Sequence, residues 1–293
     1  MRTLFVAAVC VLEFNAVETS HAATNWVSTT GNDSTGNGTT ASPYATIQKG
    51  IDSSANGDFV IVRPGTYSGT GNREINLRGK IINVSSLSGP DATILDLGRM
   101  RGFLVYSTET TNTVVNGFSL INGYVQSSRD WDGDSIISTS GSANLTLRNC
   151  IFRNNETKAM YVTTSTSIIQ GRDTVIVDNC LFYNNTIGGG GWTSVAGGAA
   201  YVVAGLVEVR RSTVANNTLY SSVASWGSYS GGIRVPMGGN SRGNLVWGNS
   251  QSFFPAWSGF PSGTTAQIWS GWAISAQRRS GTSSRHHAPG GWT

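Results

Sequence analysis

The sequence predicts an all-β protein, a right-handed parallel β-helix with a capping helix at its N-terminal end. The first observation behind this prediction is the composition: of 293 residues, 37 are glycine and only 12% are charged. An average soluble protein has about twice that charged fraction. The second observation is an internal repeat, and the third is that no helical stretch separates the strands within a repeat. Together they favour a stack of short strands joined by tight turns.

The repeat is clearest in three segments, 144–155, 174–185 and 206–217. The first two share the motif Asn-Cys-x-Phe-x-Asn-Asn, and the third keeps its pattern. A degenerate copy precedes them at 114–122, and a fragment follows at 244–249. A unit of this length cannot bury its apolar side alone, so stacked units should align like side chains in columns. The positions expected to align are spaced 30 and then 32 residues apart: Cys150, Cys180 and Ser212; Phe152, Phe182 and Val214; Asn154, Asn184 and Asn216.

Local chemistry supports this interpretation of the repeat. Within each unit inward and outward residues alternate, which is the period of a strand. The repeated asparagines are expected at sharp turns, because this short side chain tolerates left-handed backbone, and they can hydrogen-bond to one another along the stack. Cys150 and Cys180 fall at equivalent inward positions of neighbouring units. The unit spacing permits a disulfide between them, and two stacked free thiols are the alternative.

The first 22 residues have the features of a secretory signal peptide. Arg2 supplies the positive charge, residues 4–12 are apolar, and Ser20-His21-Ala22 offers small residues for cleavage after Ala22. The protein is therefore expected to be secreted or displayed at the cell surface. No later stretch approaches the ~20 apolar residues that a transmembrane helix needs.

The remaining chain divides into two parts. Residues 23–250 are expected to form one β-helix domain, and residues 251–293 an irregular, aromatic-rich C-terminal cap with a disordered basic tail. Ser42-Pro43 is followed by apolar residues at helical spacing, which predicts an N-terminal capping helix over residues 42–56.

Charge is unevenly distributed along the sequence. Residues 179–293 contain seven arginines and a single carboxylate, Glu208. This basic half could attract an acidic polysaccharide or an anionic surface. The alternative is that three of these arginines, Arg278, Arg279 and Arg285, simply lie in a disordered tail.

Several strings are more distinctive than the composition: Gly31-Asn-Asp-Ser-Thr-Gly-Asn-Gly-Thr, Ser42-Pro-Tyr-Ala-Thr-Ile-Gln-Lys, Arg63-Pro-Gly-Thr-Tyr and Gly89-Pro-Asp-Ala-Thr-Ile-Leu-Asp. They resemble the first coils of secreted bacterial β-helix proteins of the pectate-lyase-like superfamily. The Asn-Cys-x-Phe-x-Asn-Asn units resemble repeats of large bacterial surface proteins, including the polymorphic outer-membrane type. The resemblance covers about residues 24 to 250. It implies the fold but no single activity, since the superfamily mixes lyases, hydrolases and adhesins.

A hydrolase of the polygalacturonase type is disfavoured. The resemblance implies Gly-His-Gly and Arg-Ile-Lys strings at such a site, and neither occurs in the sequence. The three histidines, His21, His286 and His287, lie near the two ends of the chain.

A polysaccharide lyase needs a base for the proton beside the uronate carboxylate and a cation for the charge that develops. The related lyases imply a lysine and an arginine on neighbouring coils, often with Ca²⁺. Lys158 is the candidate base, and Arg153 and Arg172 are the candidate charge stabilisers. The alternative is that all three are solvated surface groups.

The densest acidic stretch surrounds one tryptophan. Asp130, Asp132 and Asp134 alternate in a loop and could hold Ca²⁺, although the pattern is not that of an EF-hand. Trp131, and separately Trp192, are candidates for stacking on a sugar ring. A plain solvated loop is the alternative.

From these features we expect a secreted or cell-surface protein that binds carbohydrate or another surface without turnover. The alternative is a polysaccharide lyase acting on an acidic, uronate-containing glycan. The expected partner is a polysaccharide or cell-surface glycan, not nucleic acid, and Ca²⁺ is the one cofactor that the sequence suggests.

Overall fold

The fold class predicted from the sequence is confirmed: the protein is an all-β solenoid of parallel sheets. A computed structural model describes residues 22–127, 135–139, 142–159, 167–170, 174–189, 200–201, 207–221, 233–235, 240–253 and 268–270. Within these ranges the chain forms strands of two to five residues and one short helix, α1 Ile47–Asp52. No helix in the described ranges is both long and apolar enough to cross a membrane.

The strands follow one another around successive coils. In chain order the first are β1 Thr24–Val27, β2 Phe59–Val62, β3 Gly65–Ser68, β4 Ile75–Asn76, β5 Asn83–Ser86, β6 Thr93–Asp96, β7 Phe103–Val105, β8 Val114–Asn116, β9 Ser119–Ile121, β10 Tyr124–Ser127, β11 Ser135–Thr139, β12 Leu145–Arg148 and β13 Ile151–Arg153. The others are β14 Glu156–Ala159, β15 Ser167–Gln170, β16 Val175–Asp178, β17 Leu181–Tyr183, β18 Thr186–Gly189, β19 Ala200–Tyr201, β20 Val207–Arg210, β21 Thr213–Ala215, β22 Thr218–Ser221, β23 Ile233–Val235, β24 Asn240–Arg242, β25 Leu245–Trp247, β26 Ser250–Phe253 and β27 Ile268–Ser270.

Strands at the same position of each coil pair in parallel and make four sheets. Sheet 1 has the order β1-β2-β5-β8-β12-β16-β20-β24, and sheet 2 has the order β3-β6-β9-β13-β17-β21-β25. Sheet 3 runs β4-β7-β11-β15-β19-β23-β27, and sheet 4 runs β10-β14-β18-β22-β26. Parallel pairing without slippage places each residue over its equivalent in the next coil. The repeat in the sequence is therefore the repeat of the coil.

The interior contains the columns that the repeat predicts. Phe152 pairs with Phe182 in the sheet, and their rings stack with centroids 4.9 Å apart and an interplanar angle of 6°. Leu120 and Val214 extend the same column on either side, and all four side chains are fully buried. Stacked aromatic rings of this kind add to the free energy gained by burying their area.

The repeated asparagines occupy the corner between sheets 2 and 4. Asn154, Asn184 and Asn216 have φ values of 56°, 53° and 53°, which confirms the left-handed turns expected there. The Asn184 side chain donates to Asn154 Oδ1 at 2.7 Å. The neighbouring position forms a second, buried ladder along the stack, made by Asn155, Asn185, Asn217 and Asn249.

Cys150 and Cys180 lie in the interior as unbonded thiols, the alternative that the sequence left open beside a disulfide. Both are buried, and burial raises the pKa of the Cys180 thiol well above its ordinary value. These side chains therefore pack as small apolar groups.

The helix near the N-terminus is shorter than the predicted range of 42–56. Thr46 is its N-cap and its Oγ1 accepts from Lys49 N, so Ser42 and Pro43 lie before the helix and not in it. The helix buries Ile47 and Ile51. Its role as a cap stays a prediction, as do the domain boundaries at 22 and 250.

Candidate functional site

The residues predicted for lyase chemistry fall on different parts of the coil. Arg153 ends β13 in sheet 2, aligned with Ile121 and Tyr183. Lys158 lies in β14 of sheet 4, with its backbone aligned to that of Gln126. A corner separates the two strands, so Arg153 and Lys158 belong to different sheets of one coil. Arg172 lies outside the described residues, and convergence of the three side chains stays a prediction.

The other predicted site residues also fall outside the described ranges: Trp131, Trp192, Asp130, Asp132 and Asp134. Calcium binding and sugar stacking at these positions stay predictions. Among the residues that the structure describes, no group of three or more His, Cys, Asp or Glu side chains is placed to hold a metal ion.

The outward face of sheet 2 carries a column of side chains that the motif analysis did not single out. The second variable position of the Asn-Cys-x-Phe-x-Asn-Asn motif falls in register in four consecutive coils, and we call these residues the outer column: Arg153, Tyr183, Ala215 and Trp247. Each follows an inward residue of the Phe152 column, so alternation turns it outward. Tyr183 is 42% exposed and Trp247 is 54% exposed. Two large aromatic side chains therefore face solvent from one flat strip of sheet.

The strip around the outer column is also apolar. The other outward position of the same strands is occupied by Ile151, Leu181, Thr213 and Leu245. Leu245 is 66% exposed. The other three side chains are half-buried, so the exposed apolar surface of the strip is concentrated at Leu245, Trp247 and Tyr183. A contiguous exposed apolar patch on a protein surface is a marker of a binding site.

A cluster of charged residues lies on sheet 1 beside the corner that leads into sheet 2. Four of its residues occupy the same strand position in successive coils and are aligned in the sheet: Arg148, Asp178, Arg210 and Arg242. We call these three arginines and the corner residue Arg211, with Asp178 and Glu208, the arginine cluster. Its four guanidinium groups and two carboxylates leave an excess of positive charge.

Asp178 holds this cluster together. It is 1% exposed, and its two oxygens accept hydrogen bonds from Arg211 at distances of 2.5 to 2.9 Å and from Arg210 at 3.2 Å. The Nε of Arg148 lies 3.7 Å from Asp178 Oδ2. Burial alone would raise the pKa of the Asp178 carboxyl, but the hydrogen bonds from Arg211 and Arg210 outweigh burial and lower that pKa. The carboxylate is thus ionised and fixes the arginines in place.

Glu208 binds the outer part of the same cluster. Its Oε1 pairs with Arg210 at 3.4 Å and also with Arg242 in the next coil. Arg211 and Arg242 nevertheless remain mostly exposed. Their guanidinium groups can therefore meet an anionic group from outside.

Arg211 adopts an unusual backbone conformation for its residue type. It has φ 52°, and the equivalent corner positions are occupied by Asn149, Asn179 and Gly243, which adopt this conformation more readily. The left-handed conformation costs an arginine roughly 1 kcal/mol. The bidentate contact with Asp178 offsets that cost and anchors the side chain at the corner.

Both features could have been found from the repeat. The outer column is the second variable position of the motif, and four of the six residues of the arginine cluster occupy the position two residues before the motif cysteine. The repeated positions of the motif predict the fold, whereas its variable positions give a signal only when they are compared across units. The uneven charge of residues 179–293 was the one signal that pointed to this region.

Comparisons with known proteins find likeness to solved structures at low sequence identity. No protein-family model and no curated protein matches the chain. Among solved structures, it is similar to a rhamnogalacturonan lyase with 16% identity and a TM-score of 0.34, over 73% of this chain and 75% of that chain. It is also similar to a pectin methylesterase from carrot with 12% identity and a TM-score of 0.35, over 80% of this chain and 77% of that chain. Likeness at this level says nothing about what this chain binds.

Proposed function

We propose that this chain is an extracellular β-helix protein that binds a polysaccharide on the outward face of sheet 2 and does not cleave it. The observation that carries the proposal is the outer column. Tyr183 and Trp247 are exposed on one line of sheet 2, and Arg153 lies on the same line, one coil before Tyr183. Aromatic side chains combine a large apolar face with a polar edge. That combination suits a sugar ring, which has apolar C–H faces and hydroxyl groups around its rim.

The spacing along the solenoid supports an extended chain as the ligand. Tyr183 and Trp247 are two coils apart, which corresponds to about 9.6 Å at the usual strand separation. Ala215 lies between them, and its methyl group is covered by neighbouring groups, so the two exposed rings flank a small buried side chain. A polysaccharide lying along the solenoid axis can contact both rings with different sugar units.

Charge favours an acidic polysaccharide over a neutral one. Arg153 extends the outer column by one coil below Tyr183. The arginine cluster adds its excess positive charge at the corner between sheets 1 and 2. Arg211 lies at this corner, four residues before Ala215 in the same coil. Guanidinium groups pair with carboxylates through two parallel hydrogen bonds, which adds geometric selectivity to attraction.

The chemistry of the strip favours binding over turnover. From β13 to β25 the outward positions of sheet 2 contain arginine, tyrosine, tryptophan, threonine, alanine and aliphatic side chains. The strip contains no histidine, lysine, aspartate or glutamate, the side chains that most often act as general bases. Its two aromatic rings and one guanidinium group are better suited to stacking and to pairing with anions.

The proposal is tested by measuring binding to pectate, alginate, a glycosaminoglycan and a neutral glucan by affinity electrophoresis. We expect Trp247→Ala and Tyr183→Ala each to weaken binding to the preferred acidic polymer about tenfold or more, equivalent to about 1.4 kcal/mol. Tyr106→Ala is the matched control, since Tyr106 is 39% exposed but lies outside sheet 2. Equal affinity of all four proteins, or no binding to any polymer, would overturn the proposal.

Turnover is measured on the same samples. Ultraviolet absorbance of unsaturated uronate products should stay flat with and without Ca²⁺. A steady rise that disappears in Lys158→Ala would replace the binding proposal with the alternative, a polysaccharide lyase.

A further inference from the structure

A carboxylate near the start of the described chain points to a processed N-terminus that is part of the fold. Asp58 lies just before β2 and is only 8% exposed. Its Oδ1 accepts from the backbone nitrogen of Ala23 at 2.7 Å, and its Oδ2 accepts from that of Ala55 at 2.7 Å. No lysine or arginine in the described ranges forms an ion pair with it. Its donors in these ranges are neutral backbone N–H groups, as they are for the buried carboxylate of Glu109. A positively charged donor would stabilise the ionised form of Asp58 further.

The position of Ala23 is fixed independently of Asp58. Its carbonyl oxygen accepts from Phe59 N at 2.8 Å, and the next residue, Thr24, pairs with Phe59 as the first residue of β1. The edge of sheet 1 therefore holds the Ala23 nitrogen against Asp58. The chain before this nitrogen reads Ser20-His21-Ala22, which has the small residues that a signal peptidase selects at the positions before its cut.

We infer that an endopeptidase hydrolyses the Ala22–Ala23 bond and that the new α-ammonium of Ala23 forms an ion pair with Asp58. In this step the C–N bond breaks and water supplies a hydroxyl to the Ala22 carbonyl carbon and a proton to the Ala23 nitrogen. The released amine takes a further proton from solvent at neutral pH. The N–H that now contacts Asp58 becomes one of three donors of a charged group, and a charge-assisted hydrogen bond is about twice as strong as a neutral one.

This inference does not depend on glycan binding, since Asp58 and Ala23 lie at the opposite end of the solenoid from Trp247. It gives the folded domain a contact that only the processed chain can make in full. Asp58 is thus assigned as the partner of the mature N-terminus.

The first experiment is the intact mass of the protein exported by a secreting host from the full chain. The expected mass is that of a chain starting at Ala23. Retention of residues 1–22, or a cut at another bond, overturns the inference.

The second experiment compares melting temperatures in a cycle of four proteins: processed chain and chain with Ala22 retained, each with Asp58 or with Asp58→Asn. Asp58→Asn should lower the melting temperature of the processed chain by roughly 5 °C. The loss should be clearly smaller in the chain that retains Ala22, because its Ala23 nitrogen is an uncharged amide. Asp52→Asn is the control, because Asp52 is exposed and pairs with Arg78, and its effect should be the same in both chains. Equal losses on Asp58→Asn in both chains would show a structural carboxylate without an ammonium partner.

The inference can still be tested if Asp58→Asn does not fold. In that case the two wild-type forms are compared directly, and the chain with Ala22 retained should melt several degrees lower. Identical melting temperatures would contradict the inference.

Discussion

The inward and outward columns of sheet 2 share one register but differ in what they tolerate. The inward column keeps large apolar residues in successive coils, with Phe152 stacked on Phe182. One residue further along each strand, the outer column changes from Arg153 to Tyr183, then to Ala215 and Trp247. The interior is thus repeated, while the surface varies from coil to coil.

The difference follows from what each position contacts. An inward side chain touches the equivalent side chains of the coils on either side, so a change in one coil disturbs its neighbours as well. An outward side chain faces solvent and is free to vary at little cost in stability. The outer positions of a β-solenoid are therefore where binding chemistry can be placed, and the exposed Tyr183 and Trp247 are such a placement.

The sharpest test of this comparison uses two adjacent residues of β17. Phe182→Ala should destabilise the protein by about 3–5 kcal/mol, because it leaves a cavity in the stacked ring column. Tyr183→Thr, at the next position, should change the free energy of unfolding by no more than about 0.5 kcal/mol. Denaturant unfolding followed by circular dichroism measures both. Similar losses at the two positions would mean that the outer column is part of the core.

The two asparagine columns at the sheet 2 corner provide the second test. Asn185 is buried; its Oδ1 accepts from Asn155 N and Nδ2, and its own Nδ2 donates to Phe152 O and Asn217 Oδ1. Asn185→Ala removes these bonds and leaves buried polar groups without partners, so we expect a loss of about 2–4 kcal/mol.

Its control is the preceding residue, Asn184, whose side chain is exposed and whose φ is 53°. Asn184→Gly keeps the left-handed turn without strain and should cost less than about 1 kcal/mol. The same denaturant measurement applies. A loss at Asn184→Gly as large as that at Asn185→Ala would assign the stability of the corner to the turn and not to the buried ladder.

Sequence reasoning predicted the inward columns well because they obey simple periodicity. The spacing of Cys150, Phe152 and Asn154 from their counterparts predicts the register of three coils, and the observed strand pairing confirms it. Periodicity shows which residues align, but it does not show which aligned polar groups reach each other. The expected bond along the stack forms between Asn184 and Asn154, and a second, buried ladder that includes Asn155 and Asn185 lies one position further along the chain.

The arginine cluster shows a second limit. Arg148, Asp178 and Arg210 are 30 and 32 residues apart, and their contact depends on parallel register between coils. Charge counted along the chain identified a basic half with Glu208 as its single carboxylate. It did not identify Asp178, just outside that half, as the carboxylate that Arg148, Arg210 and Arg211 share.

Asp178 departs from the contrast between inward and outward positions, and it gives the last prediction. It is on the outward face of sheet 1 yet is as buried as a core residue, because Arg210 and Arg211 cover it. Asp178→Asn keeps the shape but removes the charge, and we expect a loss of about 1.5–3 kcal/mol at pH 7, the usual contribution of hydrogen bonds to charged groups. The pKa of Asp178 is lowered in the folded protein, so its contribution is present above the unfolded pKa of about 3.9. It is lost as pH falls through the folded pKa, because the unfolded chain then binds the proton more readily.

The difference in unfolding free energy between wild type and Asp178→Asn should therefore be constant from pH 7 to about pH 5 and shrink below about pH 4. Urea unfolding at a series of pH values measures it. Glu208→Gln serves as the control, since Glu208 pairs with Arg210 and Arg242 at the more exposed edge of the cluster. Its loss should be smaller, about 0–1 kcal/mol, as expected for ion pairs open to solvent. A pH-independent difference for Asp178→Asn would contradict this prediction. It would mean that packing of their aliphatic carbons, and not the charge of Asp178, holds the arginines in place.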